Sequence, residues 1–393
     1  MSRLNDDRLT FIGRTNFRNE HKLFGIRRAD LRCHLYVIGQ TGTGKTTLLE
    51  NLIRQHMVNG EGVAVLDPHG DMVERLVRQV PDQRNADLIY FNVPDPACPH
   101  TFNPLEAVPP DRRALAASEL LEAFKKIWQR YWGPRMEHIL RNVLLTLLEQ
   151  PHTSIADITR LFSDPVFLKQ CVNRVTNPAV KEYWLKEYAA LPGRFRAEMI
   201  QPIQNKVGAF LADPHLYRVL TRSENNIDVR KIMDEGKILL VNLAKGKVGG
   251  ENSALLGALL VSRIGLAALS RADIPEGTRR DFFLYLDEFQ NFTTLSTATM
   301  LSELRKYHLI MVLAHQYLEQ LEREVRSAIL GNVGTIISFR IGVEDARLLS
   351  GIFTPVFDEL DLTRLPNHSI YIRPMVKGSP RDPFSAETLP PFT

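Results

Sequence analysis

Residues 35–47 read Leu35-Tyr36-Val37-Ile38-Gly39-Gln40-Thr41-Gly42-Thr43-Gly44-Lys45-Thr46-Thr47. The first four are apolar, as in a buried strand, and the apolar spacing after Thr47 is that of a helix. Between them lies the pattern G-x-x-x-x-G-K-T, whose glycines let backbone N–H groups converge on a phosphate at the helix N-terminus. The stretch therefore predicts a phosphate-binding loop (P-loop) in an α/β fold.

The loop residues have predicted roles in nucleotide binding. The residues predicted to line the nucleotide are Gly39, Thr41, Gly42, Thr43, Gly44, Lys45, Thr46 and Thr47. Lys45 is expected to reach the β- and γ-phosphates, and the Thr46 hydroxyl is expected to bind Mg²⁺. ATP and Mg²⁺ are therefore the predicted cofactors.

Short apolar runs alternate with helical patterns along most of the chain. The predicted strands are Leu35–Ile38, Val63–Leu66, Leu88–Phe91, Ile238–Val241, Phe283–Leu286, Leu309–Leu313, Thr335–Phe339 and Ser369–Ile372. This alternation is typical of a mainly parallel sheet, here that of a RecA-like P-loop nucleoside triphosphatase. The Pro-rich tail after Lys377 is predicted to be irregular.

The segment from Pro109 to Asn226 breaks the alternation, because its apolar residues recur at helical spacing between Pro-containing breaks. We therefore predict an all-α domain at 109–226, inserted between the two parts of a nucleotide-binding domain at 1–108 and 227–393. Cations and aromatics mix at Lys125–Trp132, as they do in single-strand binders. Packing of these tryptophans in a helical core is the favoured interpretation.

Two other strand ends are predicted to complete the nucleotide site, since the C-terminal ends of parallel strands meet at one edge of a sheet. Asp287 and Glu288 follow one apolar strand, and Gln316 follows another. Asp287 is expected to hold Mg²⁺, and Glu288 is expected to act as general base on the attacking water. Gln316 is expected to sense the γ-phosphate or orient water, whereas His315 is expected to be structural.

The motif Asp67-Pro68-His69-Gly70-Asp71 follows a third strand at the same edge. Asp67 is a candidate for indirect contact with the metal. A turn through Pro68 and Gly70, with a helix cap at Asp71, is an equally good interpretation.

The composition is that of a globular protein, with 44% hydrophobic and 24% charged residues in 393. A net charge of +4 permits a nucleic-acid partner without requiring one. Three cysteines without C-x-x-C spacing argue against a disulfide framework or a zinc site and favour a cytoplasmic location. The apolar stretch Ala254–Leu269 contains Ser262 and Arg263, so it is predicted to be a buried helix and not a transmembrane anchor.

The motifs in this order resemble the conjugative coupling-protein branch of the HerA/FtsK superfamily of DNA-pumping ATPases. The resemblance runs from about Phe24 to Pro391 and rests on Val37–Thr47, Leu66–Asp71, Thr101-Phe102-Asn103-Pro104-Leu105, Tyr285-Leu286-Asp287-Glu288-Phe289-Gln290 and Ala314-His315-Gln316. It implies a homohexameric ring that moves DNA through a central pore, using ATP bound between subunits. It also implies partners, a relaxase and the type IV secretion channel, and a peripheral position at the inner membrane reached through such partners.

The same resemblance implies further site residues. Gln316 corresponds to the family's polar sensor, and the region Gly331–Arg340 looks like the one that supplies an arginine to the neighbouring subunit's nucleotide. Arg340 is the first candidate for this arginine finger, with Arg326 and Arg305 behind it. A surface ion pair is the alternative interpretation of Arg340.

A DNA pump also needs cations that follow the phosphate backbone. Lys245 and Lys247 lie in a Gly-rich stretch after a predicted strand and are candidate pore-loop residues, although a solvated turn explains them equally well. Two other functions stay open from the sequence. One is a HerA-like motor partnered with a nuclease in DNA processing or defence, and the other is a nucleotide-gated assembly scaffold of a secretion system.

Overall fold

The computed structural model describes residues 6–105, 108–222 and 225–391. It divides into two compact units, the first of Met1–Phe91, Val229–Asn242 and Ala267–Thr393, the second of Asn92–Asp228 and Leu243–Leu266. The second unit is therefore larger than the insertion predicted at 109–226. It takes in 243–266 and also the stretch from Asn92 to the predicted start of the insertion, both of which the prediction assigned to the nucleotide-binding domain. Within this unit, Asn252 donates a hydrogen bond of 3.3 Å to Asp213.

Among the described residues, the first unit is built on a sheet of eleven strands in the order β2-β1-β13-β10-β9-β3-β8-β7-β4-β6-β5. The strands are β1 (Leu9–Thr15), β2 (Leu23–Arg27), β3 (Leu35–Ile38), β4 (Gly62–Asp67), β5 (Leu88–Asn92), β6 (Ile238–Asn242), β7 (Phe282–Leu286), β8 (Leu309–His315), β9 (Thr335–Ser338), β10 (Ser369–Arg373), β11 (Met375–Val376), β12 (Ser379–Pro380) and β13 (Phe384–Thr388). β11 and β12 pair separately. All eight predicted strands are present, and the predicted fold class is confirmed.

One side of the sheet is antiparallel, which the sequence did not predict. β9, β3, β8, β7, β4 and β6 run parallel, whereas β10, β13, β1 and β2 each pair antiparallel with a neighbour. The prediction of an irregular tail after Lys377 is wrong, because that tail forms β12 and β13. β13 reads Phe-Ser-Ala-Glu-Thr, and its polar residues hide the strand from a search for apolar runs.

The helices occupy both units. They are α1 (Arg28–Leu31), α2 (Lys45–Val58), α3 (Asp71–Val77), α4 (Arg113–Ile127), α5 (Pro134–Leu148), α6 (Asp157–Ser163), α7 (Pro165–Arg174), α8 (Pro178–Glu182), α9 (Gly193–Leu211), α10 (Pro214–Leu220), α11 (Val229–Glu235), α12 (Lys245–Val248), α13 (Gly250–Ser270), α14 (Leu295–Glu303), α15 (Arg323–Asn332), α16 (Val343–Phe353) and α17 (Glu359–Arg364). A π-helical turn, Tyr183–Tyr188, follows α8.

The core of the first unit fixes the P-loop between a strand and a helix. Every residue of β3 is buried, and Leu35 and Val37 belong to the same apolar cluster as Leu49 and Ile53 of α2. Burial on both faces explains why β3 is apolar throughout instead of alternating. The loop between β3 and α2 is thus held at both ends by packed side chains.

In the second unit, Asp-Pro and Asn-Pro pairs begin helices, as the predicted breaks require. Asp164, Asn177 and Asp213 each accept two backbone N–H bonds at the start of a helix whose first residue is proline. Trp128 is buried and stacks on Phe124 with ring centroids 4.6 Å apart, in line with core packing. Trp132 is only half-buried, and its Nε1–H donates to Oε2 of Glu137 (2.9 Å).

One described helical segment, Gly250–Asp273, is long and apolar enough to cross a membrane by length and composition alone. Its mean hydropathy is 1.7, and 72% of the tested window is buried inside the structure. A buried core helix passes the same test.

Candidate nucleotide-binding site

The P-loop has a backbone that requires glycine at two positions. Gly42 has φ +78° and Gly44 has φ +118°, both in the left-handed region that other residues rarely adopt. A Cβ at Gly44 would lie 2.8 Å from Nδ1 of His368, and one at Gly39 would lie 2.5 Å from Cβ of Phe339. The loop is therefore packed closely against the chain that follows β9 and precedes β10.

Lys45 begins α2 with its ammonium group inside the loop. The side chain is 7% exposed, and Nζ donates hydrogen bonds to the carbonyl oxygens of Gly39 (2.5 Å) and Gln40 (3.0 Å). Burial lowers the pKa of Lys45, and the nearby carboxylates of Glu288 and Asp287 oppose that shift. The arrangement holds a cation where the predicted phosphates would lie.

The other predicted loop residues surround Lys45 in sequence and differ in exposure. Thr43 is buried and donates a hydrogen bond of 2.7 Å to the carbonyl oxygen of Gln40. Thr41 is exposed, while Thr46 and Thr47 at the start of α2 are half-buried. Thr41 also lines a cleft of about 570 Å³ together with Gln40, Gln316, Tyr317, Glu319 and Gly342–Asp345.

Asp287 lies at the end of β7 among other acidic groups. It is 7% exposed, and burial, then the charges of Asp67 and Glu288, raise its pKa to about 7, while Lys45 acts in the opposite direction. A carboxylate that is costly to ionise in the protein alone is well suited to a cation. Among the described residues no group of three or more His, Cys, Asp or Glu side chains is placed to hold a metal ion by itself.

Asp67 has a structural role that the sequence assigned to another residue. Its Oδ1 accepts a hydrogen bond from the backbone N–H of His69 (2.8 Å), and its Oδ2 accepts from Met72 (2.9 Å) and Val73 (3.2 Å). Asp67 therefore caps the first turn of α3, and the alternative interpretation, a cap at Asp71, is wrong. Its carboxylate adds to the negative charge around Asp287.

Glu288 is held on both carboxylate oxygens. Nε2 of Gln316 donates to Oε1 (2.8 Å), and Nε2 of Gln290 donates to Oε2 (2.7 Å). The backbone of Glu288 has φ +46°, and its carbonyl oxygen accepts from Nδ2 of Asn291 (2.9 Å). The structure thus brings together Glu288 and Gln316 from separate strand ends, and adds Gln290, which the sequence analysis did not single out.

His315 belongs to the core beneath these residues. It is fully buried, shares a hydrogen bond with the Tyr36 hydroxyl, and packs on the ring of Phe289 at 4.8 Å. Burial, with the charge of Lys45 second, lowers its pKa to about 3, so the ring is neutral. These contacts fit the structural role expected of His315.

Arg340 contacts its own P-loop. The guanidinium donates to Oε1 of Gln40 (3.2 Å), the carbonyl oxygen of Leu365 (3.0 Å) and Oδ1 of Asn367 (3.0 Å). The backbone N–H of Gln40 in turn donates to the carbonyl oxygen of Arg340 (2.8 Å). The Arg340 side chain is bound within one chain. Of the two candidates behind it, Arg326 is half-buried and Arg305 is exposed.

The two candidate DNA-contacting lysines are in the second unit. Lys245 and Lys247 lie on the short helix α12, and both are exposed. A cation on an exposed helical turn suits either a phosphate contact or a solvated turn, so both interpretations stay open.

The family model for the type IV secretion-system coupling protein DNA-binding domain matches residues 25–348. The chain belongs to this family. The resemblance read from the motifs is confirmed.

Solved structures of a conjugative coupling protein and of a VirB4 protein share the fold. The bacterial conjugative coupling protein TrwBdeltaN70, in a trigonal form with sulphate, matches with TM-score 0.65 and 16% identity over 99% of this chain and 91% of that one. TrwB with ADP and Mg²⁺ matches with TM-score 0.63 and 15% identity over the same shares. VirB4 of Thermoanaerobacter pseudethanolicus matches with TM-score 0.64 and 15% identity over 98% and 97%. Among curated proteins, no sequence matches this coupling-protein chain.

Proposed function

We propose that this coupling-protein domain is an ATPase that hydrolyses ATP with Mg²⁺ and uses the energy to move DNA. One observation carries the proposal: Gln316 at the end of β8 donates to Glu288, which follows Asp287 at the end of β7. Asp287 and Glu288 in turn act electrostatically on Lys45 of the P-loop. A phosphate-binding lysine, a metal-binding acid, a base and an amide at one sheet edge are the parts that phosphoryl transfer to water needs.

The residues fit the proposed cofactor. The negative charges of Asp67 and Glu288 make ionisation of Asp287 unfavourable. A bound divalent cation would offset these charges. Thr46 and Asp287 would hold Mg²⁺, which when bound neutralises charge on the phosphates. The TrwB structure with ADP and Mg²⁺ supports the same cofactor choice.

Three side chains, those of Lys45, Glu288 and Gln316, would have separate roles in hydrolysis. Lys45 would bind the β- and γ-phosphates through the ammonium group now held by two carbonyl oxygens. Glu288 would accept a proton from the attacking water, and Gln316 would turn from Glu288 to the γ-phosphate or to that water.

Other residues would contact DNA and the neighbouring subunit. Lys245 and Lys247 would contact the phosphate backbone in the pore of a homohexameric ring. Arg340 would stabilise its own P-loop, since its guanidinium is bound there. An arginine given to a neighbour would then be Arg326 or Arg305, of which Arg305 is the more exposed. We place the ring in the cytoplasm, peripheral to the inner membrane, between a relaxase and the type IV secretion channel.

The test is the rate of ATP hydrolysis with and without DNA. DNA should stimulate the wild-type rate. Lys45→Ala should abolish hydrolysis, and Glu288→Gln should leave only a small residual rate. Lys169→Ala, which removes an exposed lysine of the second unit, is the matched control and should keep the wild-type rate.

If DNA leaves the hydrolysis rate unchanged, the translocase proposal fails and a nucleotide-gated scaffold becomes the better explanation. A mass measurement of the chain with and without ATP and DNA tests the ring separately. If only monomers are found under all conditions, the ring proposal fails.

A further inference from the structure

The turn after β7 contains an amide that none of the predicted roles uses. Phe289–Asn291 form one 3-10 turn, in which Phe289 is fully buried against Tyr36 and His315. This buried ring anchors the turn in the core. The two residues that follow it, Gln290 and Asn291, both bond back to Glu288.

The two bonds from this turn fix different parts of Glu288. Nδ2 of Asn291 donates to the Glu288 carbonyl oxygen (2.9 Å), and Nε2 of Gln290 donates to the carboxylate Oε2 (2.7 Å). Glu288 itself has a left-handed backbone with φ +46° and ψ +49°, which costs free energy in a residue with a side chain and persists only where surrounding contacts impose it. The turn therefore sets the direction in which the carboxylate leaves the strand end.

Gln316 holds the opposite oxygen from a different strand end, at 2.8 Å. With both amides engaged, the carboxylate has a fixed plane and one hydrogen-bond donor on each oxygen. The two donors are not equivalent, because Gln290 lies in the turn that directly follows Glu288, whereas Gln316 follows β8. When Gln316 leaves Oε1, the bond from Gln290 to Oε2 can stay.

We infer that Gln290 is a positioning residue for the Glu288 carboxylate, keeping it aimed while Gln316 exchanges partners. This inference rests on the proposed ATPase function. A donor bonded to a charged acceptor contributes about 1.5–3 kcal/mol. Removing it should therefore lower kcat about tenfold to a hundredfold. KM for ATP should be unchanged, since the bond from Gln290 Nε2 ends on the carboxylate of Glu288, which is proposed to act on water and not to bind ATP.

The experiment compares a substitution that keeps the size of the Gln290 side chain but adds a negative charge with one that removes the side chain without adding charge. Gln290→Glu keeps the side-chain size, replaces the donor with an acceptor and places like charges together. Gln290→Ala removes the donor and the bulk. If the role is positioning through the N–H group, kcat falls in both, and further in Gln290→Glu than in Gln290→Ala. If the side chain only fills space, Gln290→Glu retains the wild-type rate and the inference is overturned.

A double-mutant cycle completes the test. Gln290→Ala combined with Glu288→Gln should be no slower than Glu288→Gln alone, because the positioned carboxylate is already gone. An additional loss in the double variant would overturn the inference. Nucleotide affinity, measured with a fluorescent ATP analogue, reports whether each variant has folded. A wild-type chain without ATPase activity refutes the proposed function, whereas an active wild type with equally active Gln290 variants refutes this inference alone.

Discussion

Replacing Asp287 with asparagine should make the metal-free protein more stable, and increasingly so as the pH rises. The pKa of this carboxyl is raised from 3.8 to about 7 by burial, then by Asp67 and Glu288. The folded state therefore keeps a proton that the unfolded state releases above pH 4. Stability from this group is greatest below pH 4 and declines as the pH rises to 7, because the folded state binds more protons than the unfolded state.

The magnitude follows from the size of the shift. A rise of about three pKa units at 1.36 kcal/mol each corresponds to about 4 kcal/mol above pH 7 if the whole shift is expressed. Asparagine does not titrate, so Asp287→Asn should escape this cost. Between pH 5 and pH 8 the advantage of the variant over the wild type should grow by about 2.5 kcal/mol.

The assay is urea unfolding of wild type and Asp287→Asn in EDTA at pH 5 and pH 8, with the free energy of unfolding extrapolated to water. Asp71→Asn, which removes an exposed carboxylate at the start of α3, controls for the general effect of losing a negative charge. A difference between Asp287→Asn and wild type that is the same at both pH values would refute the reasoning. So would a variant that is less stable than the wild type at pH 8.

Three further predictions concern the loop, the arginine and the lysines. Gly44→Ala should destabilise the protein by about 1–3 kcal/mol and abolish ATP binding, because the backbone there has φ +118°; thermal unfolding and a nucleotide titration check both. Mixed subunits of Arg340→Ala and Glu288→Gln should not regain ATPase activity, because Arg340 is bonded to its own loop; recovery in stable mixed rings would show instead that it acts in trans. The double variant Lys245→Ala/Lys247→Ala should weaken DNA binding and reduce the slope of log affinity against log salt by about 2, and an unchanged slope would exclude both lysines from the DNA contact.

The fold could be predicted where burial on both faces makes a strand apolar throughout. β3 was predicted with its observed bounds, Leu35–Ile38, and the other central strands were within one or two residues at each end. β1 and β2 were missed because they carry polar and glycine residues such as those in Leu9–Thr15. Antiparallel pairing supplies backbone hydrogen bonds to such segments without requiring an apolar pattern.

The site was predictable to the extent that each residue sits in a local strand-and-turn pattern. Asp287, Glu288 and Gln316 follow apolar strands, so their meeting at one edge follows from the parallel sheet. The role of Gln290 depends on the left-handed backbone of Glu288, a conformation that a glutamate in the sequence does not predict. The contact between Arg340 and Gln40 joins positions 300 residues apart, and no sequence spacing indicates it.

The cap at Asp67 constrains that position in the sequence twice. Its two oxygens fold the first turn of α3, while its charge disfavours ionisation of Asp287. An asparagine would keep part of the cap and discard the charge, and a serine would shorten the reach as well. The Asp67 side chain thus stabilises the start of α3 and also raises the pKa of Asp287. A substitution at residue 67 that the helix tolerates would therefore still change the pKa of Asp287 at the end of β7.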